Sequence, residues 1–375
     1  MGATGKMTKF LTMNQLAEEL NLSRRVVSAV MNNRSRELRI SPATEKRVRE
    51  HLAASGYVRS KSALQLKSGK DNDMIGILYC GKFIDLEYLT ASLTLLTQEI
   101  RALCGFSEIS GVEPDHLQEG VSEFIAKGIR KLIWIHANTE EEEFIHAEKL
   151  FPLFKRLEKV VIFKFDFLNP EAEDVYLENG IELVGFDSER SYKEAADLFR
   201  REGHSAVALN DVYMGSDLPL PGNSKLLAAF REAGLKVRGL HPGNSVPPSE
   251  VSRLIVENLA ELHRRDGVRA AFIRNDLLSV EVMHRLHRCG LRVPDDIALI
   301  GFSGSPYSRW LPVPLTTYEH PVVEMCRCTM DLLKAESSTG KAQRHIFENK
   351  LILGESHKIR NNKKTKGKKG DGMIK

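Results

Sequence analysis

From Met74 onward the chain repeats one pattern: a short run of almost unbroken apolar residues, followed by a stretch with apolar positions at helical spacing. MIGILY, KLIWI, KVVIF, AVALN, RAAFI and IALIGF are the runs, and YKEAADLFRREG, SKLLAAFREAG and DLLSVEVMHRLHRCG are helical stretches between them. A strand that is apolar on both faces must be covered on both, and helices alternating with such strands supply the cover. The pattern therefore requires α/β architecture with parallel sheets. The span is large for one sheet, so two lobes are expected. Ligands in such folds bind beyond the carboxyl ends of the strands, here in the cleft between the lobes.

The first seventy residues follow different rules. After Thr12, a good helix N-cap, Met13, Leu16, Ala17 and Leu20 form one apolar face. Asn21 can take the left-handed conformation that ends a helix, Leu22 anchors the turn, and Ser23 caps a second helix that buries Val26, Val27, Val30 and Met31. Two short helices joined by a tight turn make a helix-turn-helix. Arg24 and Arg25 fall in the first turn of the second helix, where cations oppose the helix dipole. Stability gives no reason for them, whereas a DNA major groove does, because recognition helices present their N-terminal residues to bases and phosphates. The competing reading is a solvated basic helix start. Ser28 lies one turn beyond Arg24 on the same face. A third helix starts at Ser41-Pro42, turns Val48 and Leu52 inward and Lys46, Arg47 and Arg49 outward, and ends at Gly56. In the loop from Asn32 to Ile40, Arg34, Arg36 and Arg39 could meet phosphates or only water. Between Tyr57 and Gly69, Ala63, Leu64 and Leu66 suit a short helix that forms only when docked.

Charge supports this division. Net charge is only +4 over 375 residues, but Lys and Arg gather in the first seventy residues and again after Lys358, as expected of a nucleic-acid-binding end on a near-neutral body.

The run LTMNQLAEELNLSRRVVSAVMNN resembles the head of the lactose-repressor/galactose-repressor (LacI/GalR) family of transcription regulators, and SPATEKRVREHLAASGYVRSKSALQLKSG resembles its third helix and hinge. GFDSERSYKEAADLFRREGHSAVAL and the stretch from Arg274 to Met325 are similar to that family's body, a two-lobed core like that of periplasmic sugar-binding proteins, with three crossovers between lobes. The resemblance covers roughly Thr12 to Leu353 and is weak between Lys82 and Ala126. It implies Thr12, Ser23, Arg24, Arg25, Ser28, Asn32, Tyr57, Ala63 and Leu66 as DNA-binding positions, with Leu66 an apolar wedge in the minor groove. It implies Asp166, Asn275, Asp276, Ser303 and Trp310 at the effector site.

Several positions depart from the family pattern. Ala29 replaces an Arg, Arg59 replaces a Pro, and the loop before Ser41 is long. In the body, Ser303 stands where an acid is usual and Leu226 where an Arg is usual. Carboxylate and guanidinium groups bind sugar hydroxyls by paired, charge-assisted hydrogen bonds, so losing both alters the pocket's chemistry. Asp187 could face the pocket or cap the next helix. Tyr307, Arg309 and Trp310 follow Ser303, and an aromatic there could stack on a sugar or pack between lobes.

The five cysteines show no disulfide or zinc spacing, and Cys326 and Cys328 point apart on one helix. His284, His287 and Cys289 read as a solvated helix end rather than a metal site. Neither metal nor cofactor is expected, and no catalytic motif appears. With no apolar leader and no membrane-length run, the expected location is the cytoplasm. The expected organisation is a helix-turn-helix head (1–58), a hinge (59–72), a two-lobed core (73–358) and a basic tail (359–375). The expected protein is a homodimeric regulator, with double-stranded operator DNA and a sugar-like effector as partners and no membrane contact. A solute-binding protein without a gene-regulatory role is the alternative.

Overall fold

The computed structural model describes residues 13–55, 72–80, 86–103, 106–136, 148–165, 170–210, 221–240, 246–335 and 341–358. Thr12, Tyr57, Ala63, Leu66 and Asp166, with the hinge and the basic tail, lie outside the described residues. The chain divides into two compact units, Met1–Lys70 and Asp71–Lys375.

The first unit contains α1 (Met13–Glu19), α2 (Arg24–Met31) and α3 (Pro42–Ser55). Leu16, Ala17, Leu20, Val27, Val30 and Val48 form its core, with Leu22, Met31, Ile40 and Leu52 against it. Asn21 takes a φ of 50°, so the chain can turn sharply between α1 and α2. Val26 and Met31, expected to be buried, are only half-buried, and Ala29 is buried. Polar ties reinforce this small core. Arg47 donates to the carbonyl of Leu20 at 2.7 Å, closing the end of α1, and His51 meets Glu19 at 2.8 Å.

The second unit has two lobes. The first carries a six-stranded sheet built from β1 (Asn72–Cys80), β2 (Ser107–Val112), β3 (Ile129–His136), β4 (Lys159–Lys164), β5 (Glu182–Asp187) and β11 (Arg344–Glu348). Their order is β11-β5-β4-β3-β1-β2, and every pairing is parallel. Side-chain alternation sorts residues to the two faces. On β3, Leu132 and Trp134 join α5 (Leu117–Ala126), α6 (Phe151–Phe154) and Tyr176 of α7 (Pro170–Glu178). Ile133 and Ile135 face α4 (Leu86–Leu103) and α12 (Val322–Lys334).

The second lobe's sheet runs β7-β6-β8-β9, again all parallel, from β6 (Ala206–Asn210), β7 (Lys236–Leu240), β8 (Ala270–Ile273) and β9 (Ala298–Ile300). Tyr192, Phe199 and Phe230 of α8 (Glu189–Arg201) and α9 (Pro221–Glu232) cover one face. Ile255, Leu259, Val282 and Leu286 of α10 (Pro248–Asp266) and α11 (Asp276–Arg288) cover the other.

The chain passes between the lobes three times: after β5, after β10 (Thr317–Glu319), and between β11 and β12 (Lys350–Ile352). β10 and β12 pair antiparallel, so the last two passages lie side by side. One residue ties all three. Asn349 donates through Nδ2 to Ser191 Oγ at 3.2 Å, and its Oδ1 accepts from Nδ1 of His320 at 2.9 Å. His320 in turn stacks on Phe186 at a centroid distance of 4.4 Å.

Burial holds His320, and also His204 of the second lobe, neutral, with each pKa lowered to about 4. In the unfolded chain both protonate below the ordinary 6.5. Between pH 6.5 and 4 the unfolded state therefore binds more protons, and stability falls as the pH falls. Urea unfolding at pH 5 should show a loss of about 2 kcal/mol per histidine relative to neutral pH. An unaltered pH dependence in the His204→Gln/His320→Gln double variant would refute this.

Candidate functional site

Two regions concentrate polar residues that the cores do not use: the start of α2, and the carboxyl ends of the second lobe's strands.

At the start of α2, Ser23 Oγ accepts from the amide of Val26 at 3.3 Å and fixes the helix end. Arg24 and Arg25 follow, both exposed, and neither forms an ion pair among the described residues. Two arginines elsewhere in this unit are engaged with acidic partners. Arg34 meets Glu37 at 2.6 Å, and Arg49 bridges Glu45 and Asn33 at 2.7 and 2.8 Å. Arg36 and Arg39 of the following loop are exposed without an ion pair among the described residues. Ser28 is half-buried on α2, and Asn32 donates through Nδ2 to its carbonyl at 2.6 Å. The helix start thus presents two exposed guanidinium groups at the end where the helix's own field opposes them.

In the body, Asn275 caps α11, its Oδ1 accepting from the amide of Leu278 at 2.8 Å. Asp276 is fully buried. Its Oδ1 accepts from Thr317 Oγ1 at 2.7 Å and its Oδ2 from the amide of Ser305 at 2.8 Å. Gly301 permits this approach, because a Cβ there would strike Asp276 Oδ1. Gly304, at a φ of 69°, packs against the backbone of Glu319. Ser303 Oγ accepts from the amide of Asp276 at 3.1 Å. The structure therefore brings Asn275, Asp276 and Ser303 together as one knot joining β8, β9 and β10. Trp310 stands apart, 82% exposed in the turn Pro306–Trp310. Asp187 caps α8, accepting from the amide of Glu189 at 2.9 Å, and also meets Lys225 at 3.4 Å. Leu226 is buried in the second lobe's core, so the side chain at this position contributes packing.

Three residues at the junction escaped the sequence reading. His320 lies between Phe186 of the first lobe and Phe302 of the second, with Tyr88 and Phe165 also against its ring. Asn349 has no motif to announce it. Arg274 had a signal: a cation directly after a fully buried strand, in RNDLL. It is 8% exposed, its guanidinium centre 5.6 Å over the ring of Tyr192. Across the cleft Ser305 Oγ donates to Glu87 Oε1 of α4 at 3.2 Å.

Residues 196–357 match the family described as periplasmic binding protein-like domain. Catabolite control protein A of Priestia megaterium is 25% identical over 86% of this chain and 91% of its own. The HTH-type transcriptional regulator KdgR of Bacillus subtilis is 23% identical over 94% and 99%. In structure, the chain resembles the lac repressor dimer bound to operator and the anti-inducer ONPF, with a TM-score of 0.67 at 17% identity, covering 94% of this chain and all of that one. The regulator CelR in complex with cellobiose gives a TM-score of 0.57 at 18% identity, covering 92% and 99%. No described helix is long and apolar enough to cross a membrane.

Proposed function

We propose that the chain is a member of the lactose-repressor/galactose-repressor family and a sequence-specific DNA-binding transcription regulator, acting as a repressor under control of a small sugar-like effector bound between the lobes. The observation that carries this is the pair of arginines at the start of α2, exposed on a helix-turn-helix and without ion pairs among the described residues.

Residues 1–58 read DNA, 59–72 form the hinge, 73–358 bind effector and dimerise, and 359–375 add non-specific phosphate contacts. Arg24 and Arg25 reach base edges, with Ser23, Ser28 and Asn32 beside them and Thr12 and Tyr57 on the backbone. The segment holding Ala63 and Leu66 orders on the duplex, and Leu66 wedges the minor groove. Two copies grip a near-palindromic operator, since protein two-fold symmetry maps onto DNA symmetry. In the cleft, Asn275, Asp276 and Ser303 shape the floor, Asp166 offers a carboxylate, and Trp310 forms an outer lip. Effector binding alters how the lobes meet, and the hinge segments transmit the change to the heads. The protein acts in the cytoplasm, and the cleft is a binding site, not a catalytic one.

Selection of duplexes from a random pool by the purified full chain tests this. The expected product is a palindromic site bound by two chains, with affinity falling steeply as salt rises. No enrichment over random DNA would overturn the reading.

A further inference from the structure

Helices α8, α9, α10 and α11 return to the second lobe's sheet through four turns of one kind. Each turn leaves its helix, passes a glycine of positive φ (Gly203, Gly234, Gly267 or Gly290), and leads into β6, β7, β8 or β9. The strand order β7-β6-β8-β9 sets the turns side by side along the sheet's amino edge, opposite the carboxyl ends that face the cleft. Contacts join neighbouring turns. The amide of Lys236 donates to the carbonyl of Ser205 at 2.9 Å, and the Arg269 guanidinium donates to the carbonyl of Asp295 at 2.6 Å. Residues 200–205, 231–236, 264–269 and 288–296 carry nine arginines and lysines against five acids.

Local structure accounts for only part of this charge. A cation in the last turn of an exposed helix answers the helix dipole, contributing about 0.3–1 kcal/mol. Ion pairs answer more of it: Arg265 meets Asp266 at 3.0 Å, and Arg292 meets Asp296 at 3.0 Å. Arg200, Arg201, Arg231, Lys236, Arg264 and Arg288 are exposed and form no ion pair among the described residues. Like charges gathered along one edge repel one another in the free protein, and an anionic partner reverses the sign of that interaction. The face lacks what a protein or a lipid surface would need. None of the exposed large apolar side chains among the described residues lies in these turns. Protein interfaces centre on aromatic and apolar anchors, and membrane-surface elements bury apolar side chains. A phosphate backbone asks for cations alone.

We propose that the amino edge of the second lobe is a second DNA-binding surface, on which these cations hold the phosphate backbone of a duplex without reading its sequence. It is separate from the helix-turn-helix and from the cleft. A chain whose head holds one duplex therefore takes a second duplex on its body, with an affinity that falls as salt rises because counterions are released. Five of the six unpaired cations are arginines, whose fork of donors matches phosphate oxygens.

The test holds the full-length chain by its heads on a bead-bound copy of the selected duplex and adds a labelled 20-base-pair duplex of unrelated sequence. Wild-type chain should retain the label at 50 mM salt and release it by 200 mM. Arg200→Gln/Arg201→Gln/Arg231→Gln/Lys236→Gln should retain about tenfold less or lower still, since each lost phosphate contact also flattens the salt dependence. Arg309→Gln/Arg327→Gln/Lys341→Gln/Lys350→Gln removes the same charge from exposed positions elsewhere on the body and should retain as much as wild type. Melting temperatures establish that both variants fold. No retention by wild type, full retention by the first variant, or an equal loss in the second would each overturn the proposal. So would loss on removing residues 359–375 alone, or capture of phosphatidylglycerol vesicles or polyglutamate in place of the duplex. If no duplex is selected, the regulator reading fails by itself, and the same comparison with the chain held by an amino-terminal biotin still decides this one.

Discussion

The Arg24→Ala/Arg25→Ala variant is expected to lose specific operator binding entirely while melting at the wild-type temperature or slightly above it. Both side chains are exposed and lie outside the core of Leu16, Ala17, Leu20, Val27, Val30 and Val48, so the head loses no packing. They stand at the positive end of α2, where neutral residues remove an unfavourable interaction of a few tenths of a kcal/mol or more. On DNA the sign reverses. A well-formed arginine contact to a base contributes about 1–3 kcal/mol of discrimination, so losing two removes about 2–6 kcal/mol, most of the margin separating a specific site from random sequence. Gel-shift titration against the selected duplex and a random duplex measures both arms. Unchanged operator affinity, or a large drop in melting temperature, would show that these arginines serve the fold and not the groove. Arg47 provides the contrast: it closes α1 through the Leu20 carbonyl, so Arg47→Ala should lower stability before it affects specificity.

How far the sequence could be read depended on whether a feature was local. The alternation from MIGILY to IALIGF is a property of neighbouring residues, and the parallel sheets follow from it. The same holds for Ser23 capping α2 and Asn21 turning the chain, which depend on residues three or four apart. β2, with the pattern SEISGV, is an edge strand of mixed polarity whose pairing with β1 supplies what its own composition does not, and it was not anticipated. β11 and β12 were missed for a related reason, since the partner of β11 is β5, more than 150 residues away. The cleft was partly legible. Asn275, Asp276 and Ser303 could be named from their motif, but the Asp276 carboxylate is held by Thr317 and Ser305, which periodicity does not bring to it. His320, Asn349 and Ser191 form one junction from three distant segments, and no spacing rule links those positions.

The other large effect concerns Asp276. Asp276→Ala should destabilise the body by about 3–6 kcal/mol, a substantial share of the 5–15 kcal/mol typical of folded domains. Its carboxylate is fully buried and accepts from the Thr317 hydroxyl and the Ser305 amide. Thr317 Oγ1 itself accepts from the amides of Ser303 and Gly304 at 3.3 and 3.2 Å, so the carboxylate orients the group on which the rest of the loop depends. Removing it leaves a buried hydroxyl and a buried amide without their acceptor, each costing about 1–3 kcal/mol, and empties space that Gly301 was shaped to leave open. Asp276→Asn preserves the volume and one acceptor but turns an amide donor toward either Ser305 N or Thr317 Oγ1, so a smaller loss is expected. The urea midpoint measures both, and ligand titration on the same samples separates two roles for the side chain. If its main partner is the effector, the alanine variant will fold with near-wild-type stability and lose only ligand affinity. If it holds the end of β8 to β9 and β10, stability falls first, and any loss of effector binding follows from a loop that no longer keeps its shape.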